Sequence, residues 1–309
     1  MVVAAGAVAD TKSRAEADLS RLRAACGRKR VDPTRSLYGP DSVTWRINRE
    51  AIILLGGGRA LLLQVAHPLV AAGVAAHSNF RRAPLQRLWR TLDLMLTMTF
   101  ADGLHAIAAV REIERRHARV RGTLDDDVGP FPRGTAYAAN DPELLFWVHA
   151  TLVDAALLVY ERFVEPLPPA TRRAYYEESK IGARLFGVPN RLIPRTLRDF
   201  EDYMRAMIDG DALTVGAAGK AIAASILSPP LPFGVRQILQ TANFFTIGLL
   251  PEAIRARYGY TWSRPQEAAM QATATAARYG FAVLPDLVRV LPHGRRQSPA
   301  VHPGGAGRL

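Results

Sequence analysis

Residues 51–76 read AIILLGGGRALLLQVAHPLVAAGVAA, the most apolar run of the chain. Arg59, Gln64 and His67 interrupt it, and each would be expensive inside a bilayer. The run therefore reads as helix buried inside a protein, and no transmembrane segment is expected. His67 precedes Pro68, which disfavours helical backbone at the residue before it. The helix is expected to break there, with the imidazole turned into the core.

Working outward, Ala15, Leu19, Leu22 and Ala25 recur at helical spacing, which predicts an N-terminal helix packed outside the main body. Arg28 to Pro40 breaks that pattern. Beyond Asp41 come long helical runs separated by short Pro, Gly and Asn clusters, with no period-2 alternation long enough for a sheet. Helices are expected at about 42–54, 55–76, 83–100, 103–122, 141–163, 168–184, 195–208, 211–226, 234–250 and 263–289. Asn140-Asp141-Pro142-Glu143 marks one start sharply, with a capping residue, an early proline and an acid in the first turn. From His293 the chain is rich in Pro, Gly and Arg without periodicity, a tail expected to be disordered. The predicted class is all-α: an N-terminal helix and linker over 1–36, a single large multi-helix domain over 37–291, and a tail over 292–309.

The chain has 309 residues, 49% hydrophobic and 22% charged, enough apolar surface for a large core. Its net charge of +12 comes mostly from arginine, whose planar fork suits phosphate, carboxylate and propionate groups. The arginines are dispersed, and no zinc-finger spacing, RNP-like motif or basic heptad accompanies them, so nucleic acid is not an expected partner. An anionic cofactor or peripheral contact with an acidic lipid surface fits better, although a GC-rich genome gives the same composition without functional meaning. Cys26 is the only cysteine, which excludes a disulfide framework and an iron–sulfur site. The N-terminal sequence lacks the apolar run of a signal peptide, and cytoplasmic residence is the expectation.

Among the histidines, His117 shares a helical stripe with Ala106, Val110, Ile113 and Val120, while Arg115, Arg116 and Arg119 lie off it. A neutral imidazole on an apolar face is what a haem iron needs, yet on spacing alone a core histidine bonded to a carbonyl is the commoner explanation. His105 aligns with Ala109 and Glu112 on a more polar face and reads as structural. His149 and Asp154 fall within Phe146 to Leu157, an apolar helix where an unpaired carboxylate is costly. Asp154 therefore needs a partner, either an arginine such as Arg87 or Arg90, or a histidine that it holds in one tautomer. A structural pair and a catalytic one both fit. Gly56-Gly57-Gly58 has no following Lys-Ser/Thr and no preceding strand, so it is not a nucleotide loop; it permits close helix approach or lets backbone lie against a flat cofactor. No G-x-S-x-G, H-E-x-x-H or paired-carboxylate spacing supports a hydrolase.

The segments GPDSVTWRINREAIILLGGGRALLLQVAHPLVAAGVAAHS, RLWRT, ERRHARVRG, NDPELLFWVHATLVDAALLVYERF and GLLPEAIRARYGYTW, in this order, resemble the catalytic domain shared by latex-clearing rubber oxygenase and the MpaB oxygenases. The similarity runs from Leu37 to Leu291. It implies an oxygenase with haem b buried between helices, acting with dioxygen on a hydrophobic small-molecule or lipid-like substrate. The family's proximal iron ligand, the histidine of its H-A-x-V-R helix, falls on His117. The distal arginine and threonine of an R-x-x-x-T pattern fall on Arg87 and Thr91, one helical turn apart. The lysine that can close the distal site in rubber oxygenases falls near Arg90, and arginine is a poor iron ligand because it stays protonated. Arg90 and His149 are expected as cofactor contacts instead, with arginines neutralising the propionates. The distal glutamate of rubber oxygenases has no counterpart, since Val65 to Gln86 contains no acid. His67 and His77 are the nearby groups able to handle protons, which points away from rubber itself as the substrate. The candidate catalytic set is Arg87, Thr91, His67 and Asp154. Two other readings stay open: a haem-binding sensor or carrier without turnover, and a cofactor-free helical protein that binds lipid or a partner.

Overall fold

The structure, a computed structural model, describes residues 2–77, 84–228 and 233–295, and side chains within these except at 2–12, 84–91, 233–239 and 281–282. In chain order the helices are α1 (Val2–Cys26), α2 (Val43–Asn48), α3 (Leu55–Ala66), α4 (Pro68–His77), α5 (Pro84–Phe100) and α6 (Gly103–His117). A ribbon of β1 (Arg121–Thr123) and β2 (Ala136–Ala138) follows, then α7 (Pro142–Phe163), α8 (Pro169–Leu185), α9 (Leu197–Asp209), α10 (Ala217–Leu227) and α11 (Phe233–Gly248). The chain continues through α12 (Glu252–Tyr258), α13 (Arg264–Val283), α14 (Asp286–Arg289) and α15 (Pro292–Arg295), with short 3-10 turns at Ala51–Leu54 and Asn190–Leu192. The class is all-α, as expected. The antiparallel ribbon, with Gly122 opposite Tyr137, is the only paired-strand element among the described residues.

The central element is α3, which packs against α7, α11, α10 and α4. Its Leu62, Leu63 and Ala66 are fully buried. Glycines set the spacing. A Cβ on Gly56 would stand 3.1 Å from Val159 of α7, and one on Gly58 would fall 2.1 Å from the Thr246 hydroxyl of α11. Gly219 of α10 lies so near α3 that a Cβ there would meet the Val65 carbonyl at 2.7 Å. Gly56 and Gly58 serve the close helix approach expected of the glycine triplet, and Gly57 faces open space. At His67 the backbone becomes extended (φ −78°, ψ 121°), and the chain axis turns by 101° into α4. The break before Pro68 is thus real.

Asp141 caps α7, accepting from the Glu143 and Leu144 amides, with Pro142 in the first turn. This helix has the length and apolarity to cross a membrane, but most of its residues are buried in the protein, mainly on α3 and α8. The N-terminal helix is less detached than expected. Leu22 and Ala25 join a second core with Ala106, Ile107 and Val110 of α6 and Ile181 and Leu185 of α8.

Other differences have local causes. The run 42–54 is interrupted because Glu50 turns extended and bridges to Val290, while Arg49 accepts from the Leu291 amide. The helix expected to reach 122 ends at His117, where the chain turns into the ribbon and Gly122 lies against Tyr137. The 211–226 helix starts only at Ala217, because Gly216 packs against Val128 and Thr214 against Gly129. Pro285 divides the 263–289 run. The unexpected α12 begins after Pro251 and stops at Gly259, whose positive φ of 77° suits glycine. The expected tail is helical at Pro292–Arg295, and the remainder lies outside the described residues.

The adjacent glycines offer a contrast. Gly58→Ala is expected to destabilise by about 1–3 kcal/mol through collision with Thr246. Gly57→Ala, with open space at its Cβ position, is expected to be neutral or stabilising by up to about 1 kcal/mol. Urea unfolding of both variants checks the pair, and equal effects would show that α3 does not approach α11 as described.

Candidate active site at the end of the α5–α6 hairpin

Helices α5 and α6 are joined only by Ala101 and Asp102 and pack side by side as a hairpin. Asp102 caps α6, accepting from the His105 amide at 2.9 Å, and its carboxylate also contacts His105 Nδ1 at 2.9 Å. The structural reading of His105 holds. At the other end of the hairpin the helical rise of ~1.5 Å per residue sets the levels. Arg87 precedes Phe100 by thirteen residues and Arg116 follows Gly103 by thirteen, so the backbone of Arg87 is level with the turn that ends in His117, while Arg90 and Thr91 are level with Ile113 and Glu112, about one turn earlier in α6. The side chains of Arg87, Arg90 and Thr91 lie outside the described residues.

The α6 stripe follows its spacing as far as His117, and Val120, expected on the same face, lies beyond the end of the helix. Ala106 and Val110 are fully buried, Ile113 is partly buried, and His117 is half-buried as the last helical residue. Its Nδ1 is buried and has no hydrogen-bond partner among the described residues. Burial pushes the His117 ring below its ordinary pKa, against a smaller upward pull from Glu114, and so favours the neutral imidazole. Glu114 is itself held by Arg21 of α1, whose Nη1 donates to it at 3.0 Å while Nε donates to the Leu185 carbonyl at 3.0 Å. A second ion pair, Asp18 with Arg111, also ties α1 to α6. The N-terminal helix thus clamps the helix that presents His117.

Beside this end lies α4. Gly73 allows Val120 to within 3.2 Å of where its Cβ would be, and His77 Nε2 is 3.2 Å from the Arg121 carbonyl. Of the two histidines that could handle protons, His77 is exposed here. His67 is 7% exposed at the α3–α4 break, with its ring 5.2 Å from that of Phe131, and its Nδ1 accepts from the Leu69 amide at 3.3 Å. Burial pushes its pKa down to about 4, opposed by the charge of Asp141.

His149 and Asp154 have other neighbours. His149 packs on α8 at Gly182, with Tyr38 on the same glycine and the Ser179 carbonyl beside it; burial lowers its pKa to about 4. Asp154 pairs with Arg59 of α3, whose Nε donates to the Leu249 carbonyl at 2.8 Å. Arg59 takes the place expected for Arg87, Arg90 or a histidine, because α3 packs along α7 and Arg59 is buried between them. No hydrogen bond, ion pair or ring contact among the described residues joins His67, His149 or Asp154 to His117. Sequence reasoning missed Arg59 and the buried Gln64–Thr151 hydrogen bond of 2.9 Å on the same seam. Their signal was present as the polar interruptions of residues 51–76.

Residues 44–279 match the family described as ER-bound oxygenase mpaB/B'/Rubber oxygenase, catalytic domain. No curated protein and no solved structure matches the chain.

Replacing Arg59 by Met leaves Asp154 and the Leu249 carbonyl without their partner, and a loss of about 2–4 kcal/mol in urea unfolding is expected. An unchanged midpoint would remove the pair from the core's support. His67 predicts an acid sensitivity. Its folded-state pKa lies below the unfolded value, so its contribution is intact above about pH 6.5 and is lost as pH falls from there toward about 4, by on the order of 3 kcal/mol. His67→Gln should flatten that part of the stability–pH curve; a curve parallel to wild type would assign the sensitivity elsewhere.

Proposed function

Since the chain belongs to the MpaB/rubber oxygenase catalytic-domain family, we propose that it is a haem b-dependent oxygenase in which His117 is the iron ligand. Its substrates on this reading are dioxygen and a hydrophobic small-molecule or lipid-like compound. The observation that carries the proposal is the buried Nδ1 of His117, without a hydrogen-bond partner among the described residues, on a ring whose neutral form burial favours. A buried polar atom without a partner is unfavourable, and a neutral imidazole is the form that binds metal. The residues present therefore fit the cofactor.

Bound haem supplies the redox chemistry of dioxygen activation, which no side chain of the chain supplies. His117 holds the group from the end of α6. The buried Ala106 and Val110 behind it exclude water, and the Arg21–Glu114 clamp fixes the helix from outside. Arg87 and Thr91, on the adjacent turns of α5, are the polar groups assigned to orient dioxygen on the side facing the substrate. Arg90, one residue before Thr91, remains cationic and suits a propionate. His67 is the buried proton-handling group that this reading retains in place of the missing distal acid. Asp154, held by Arg59, fits the structural of its two expected roles.

Purified wild-type protein supplied with hemin is expected to show a Soret band that is lost or shifted in His117→Ala. Arg87→Ala and Thr91→Ala should keep the band while oxygen consumption with a hydrophobic substrate falls at least about tenfold. A protein that stays colourless after reconstitution would overturn the cofactor assignment. Haem retained with turnover unaffected by either distal variant would overturn the roles of Arg87 and Thr91.

A further inference from the structure

At the far end of α13 the surface changes character. Tyr279, Val283, Leu284, Leu287 and Val288 are 37–81% exposed, and together they are five of the seven large hydrophobic residues exposed on the described surface. The opposite stripe of α13, with Met270 and Ala274 buried, anchors the helix to the body. Tyr279 and Val283 stand one turn apart on the outer face, and Pro285 turns the chain into α14, which adds Leu287 and Val288. A concentration of exposed apolar side chains of this kind marks a contact site.

The charge around it is predominantly positive: Arg278, Arg289 and Arg295 border it, and while Arg289 pairs with Asp286 and Glu50, Arg278 and Arg295 have no carboxylate partner among the described residues. Arg278 donates to the Glu161 and Arg162 carbonyls and Arg295 to the Val290 and Leu287 carbonyls, so their positive charges are not neutralised by carboxylates. An apolar surface bordered by uncompensated arginine matches the interface of a bilayer with anionic headgroups, where the side chains enter the acyl boundary and the guanidinium groups meet phosphate. A second copy of the chain would bring the same arginines face to face across a two-fold axis, which disfavours self-association through this surface.

We infer that the α13–α14 corner, through Tyr279, Val283, Leu284, Leu287 and Val288, docks the protein on an anionic lipid surface. This inference stands apart from the haem assignment. The test is cosedimentation of the full-length protein with vesicles of phosphatidylcholine and phosphatidylserine, or of phosphatidylcholine alone, using wild type and Val283→Glu/Leu287→Glu. Wild type should bind the anionic vesicles, bind neutral ones more weakly, and release with added salt. The double variant, altered only at exposed positions, should keep its melting temperature and lose at least about tenfold in vesicle binding. Wild type left in the supernatant with anionic vesicles, or a variant that binds as wild type does, would overturn the inference. So would a wild-type dimer that the variant dissolves without any vesicle binding, which would give the surface to a second copy.

Discussion

The fold depends on satisfying one buried guanidinium. Arg59 sits in the middle of the most apolar segment, at the contact of α3 with α7 and α11, where an unpaired cation would be prohibitive. Asp154 from α7 and the Leu249 carbonyl just after α11 meet it there. Those partners fix the rotation of α3 about its axis, and that rotation turns Gly56 toward α7 and Gly58 toward α11. The Gln64–Thr151 hydrogen bond repeats the constraint nearer the C-terminus of α3. A polar network of this kind specifies one arrangement of helices that a purely apolar seam would leave free to slide.

The candidate site lies away from this seam, and its character follows from how its helix is held. The α5–α6 hairpin is anchored at its turn by Asp102 and by the edge-on contact of Trp45 with Phe100, 4.9 Å between ring centroids. At the other end, α1 grips α6 through Arg21 and Asp18, one or two turns before His117. The chain then leaves the helix at His117 and enters the ribbon under α4. His117 is thus presented from a helix held at both ends, with one ring nitrogen buried and without a hydrogen-bond partner among the described residues. Of the family pattern's two positions on α5, Arg87 lies at the level of His117 and Thr91 about one turn short of it. The apolar corner formed by α13 and α14 is a separate feature of the surface.

Much of the architecture was legible in the order of residues. Asp141-Pro142-Glu143 starts a helix because side-chain capping and proline geometry are local effects, and the His67-Pro68 break follows from a steric clash between neighbours. The stripe of Ala106, Val110, Ile113 and His117 is a consequence of helical periodicity alone. The family likeness likewise rested on linear segments, and it singled out His117 before any contact was known.

Tertiary structure decided what periodicity does not encode. The end of α6 at His117 is set by pairing with a strand fifteen or more residues later, Arg121 with Ala138, and no local signal announces it. The partner of Asp154 is Arg59, nearly a hundred positions earlier, chosen because two helices happen to be adjacent. That Gly56 and Gly58 serve close helix approach was decided only by Val159 and Thr246 arriving at their surface. Local sterics and hydrogen bonds act over a few residues and can be read in sequence. The matching of buried charges and close-packed surfaces acts between segments far apart in the chain, and only their meeting in space determines it.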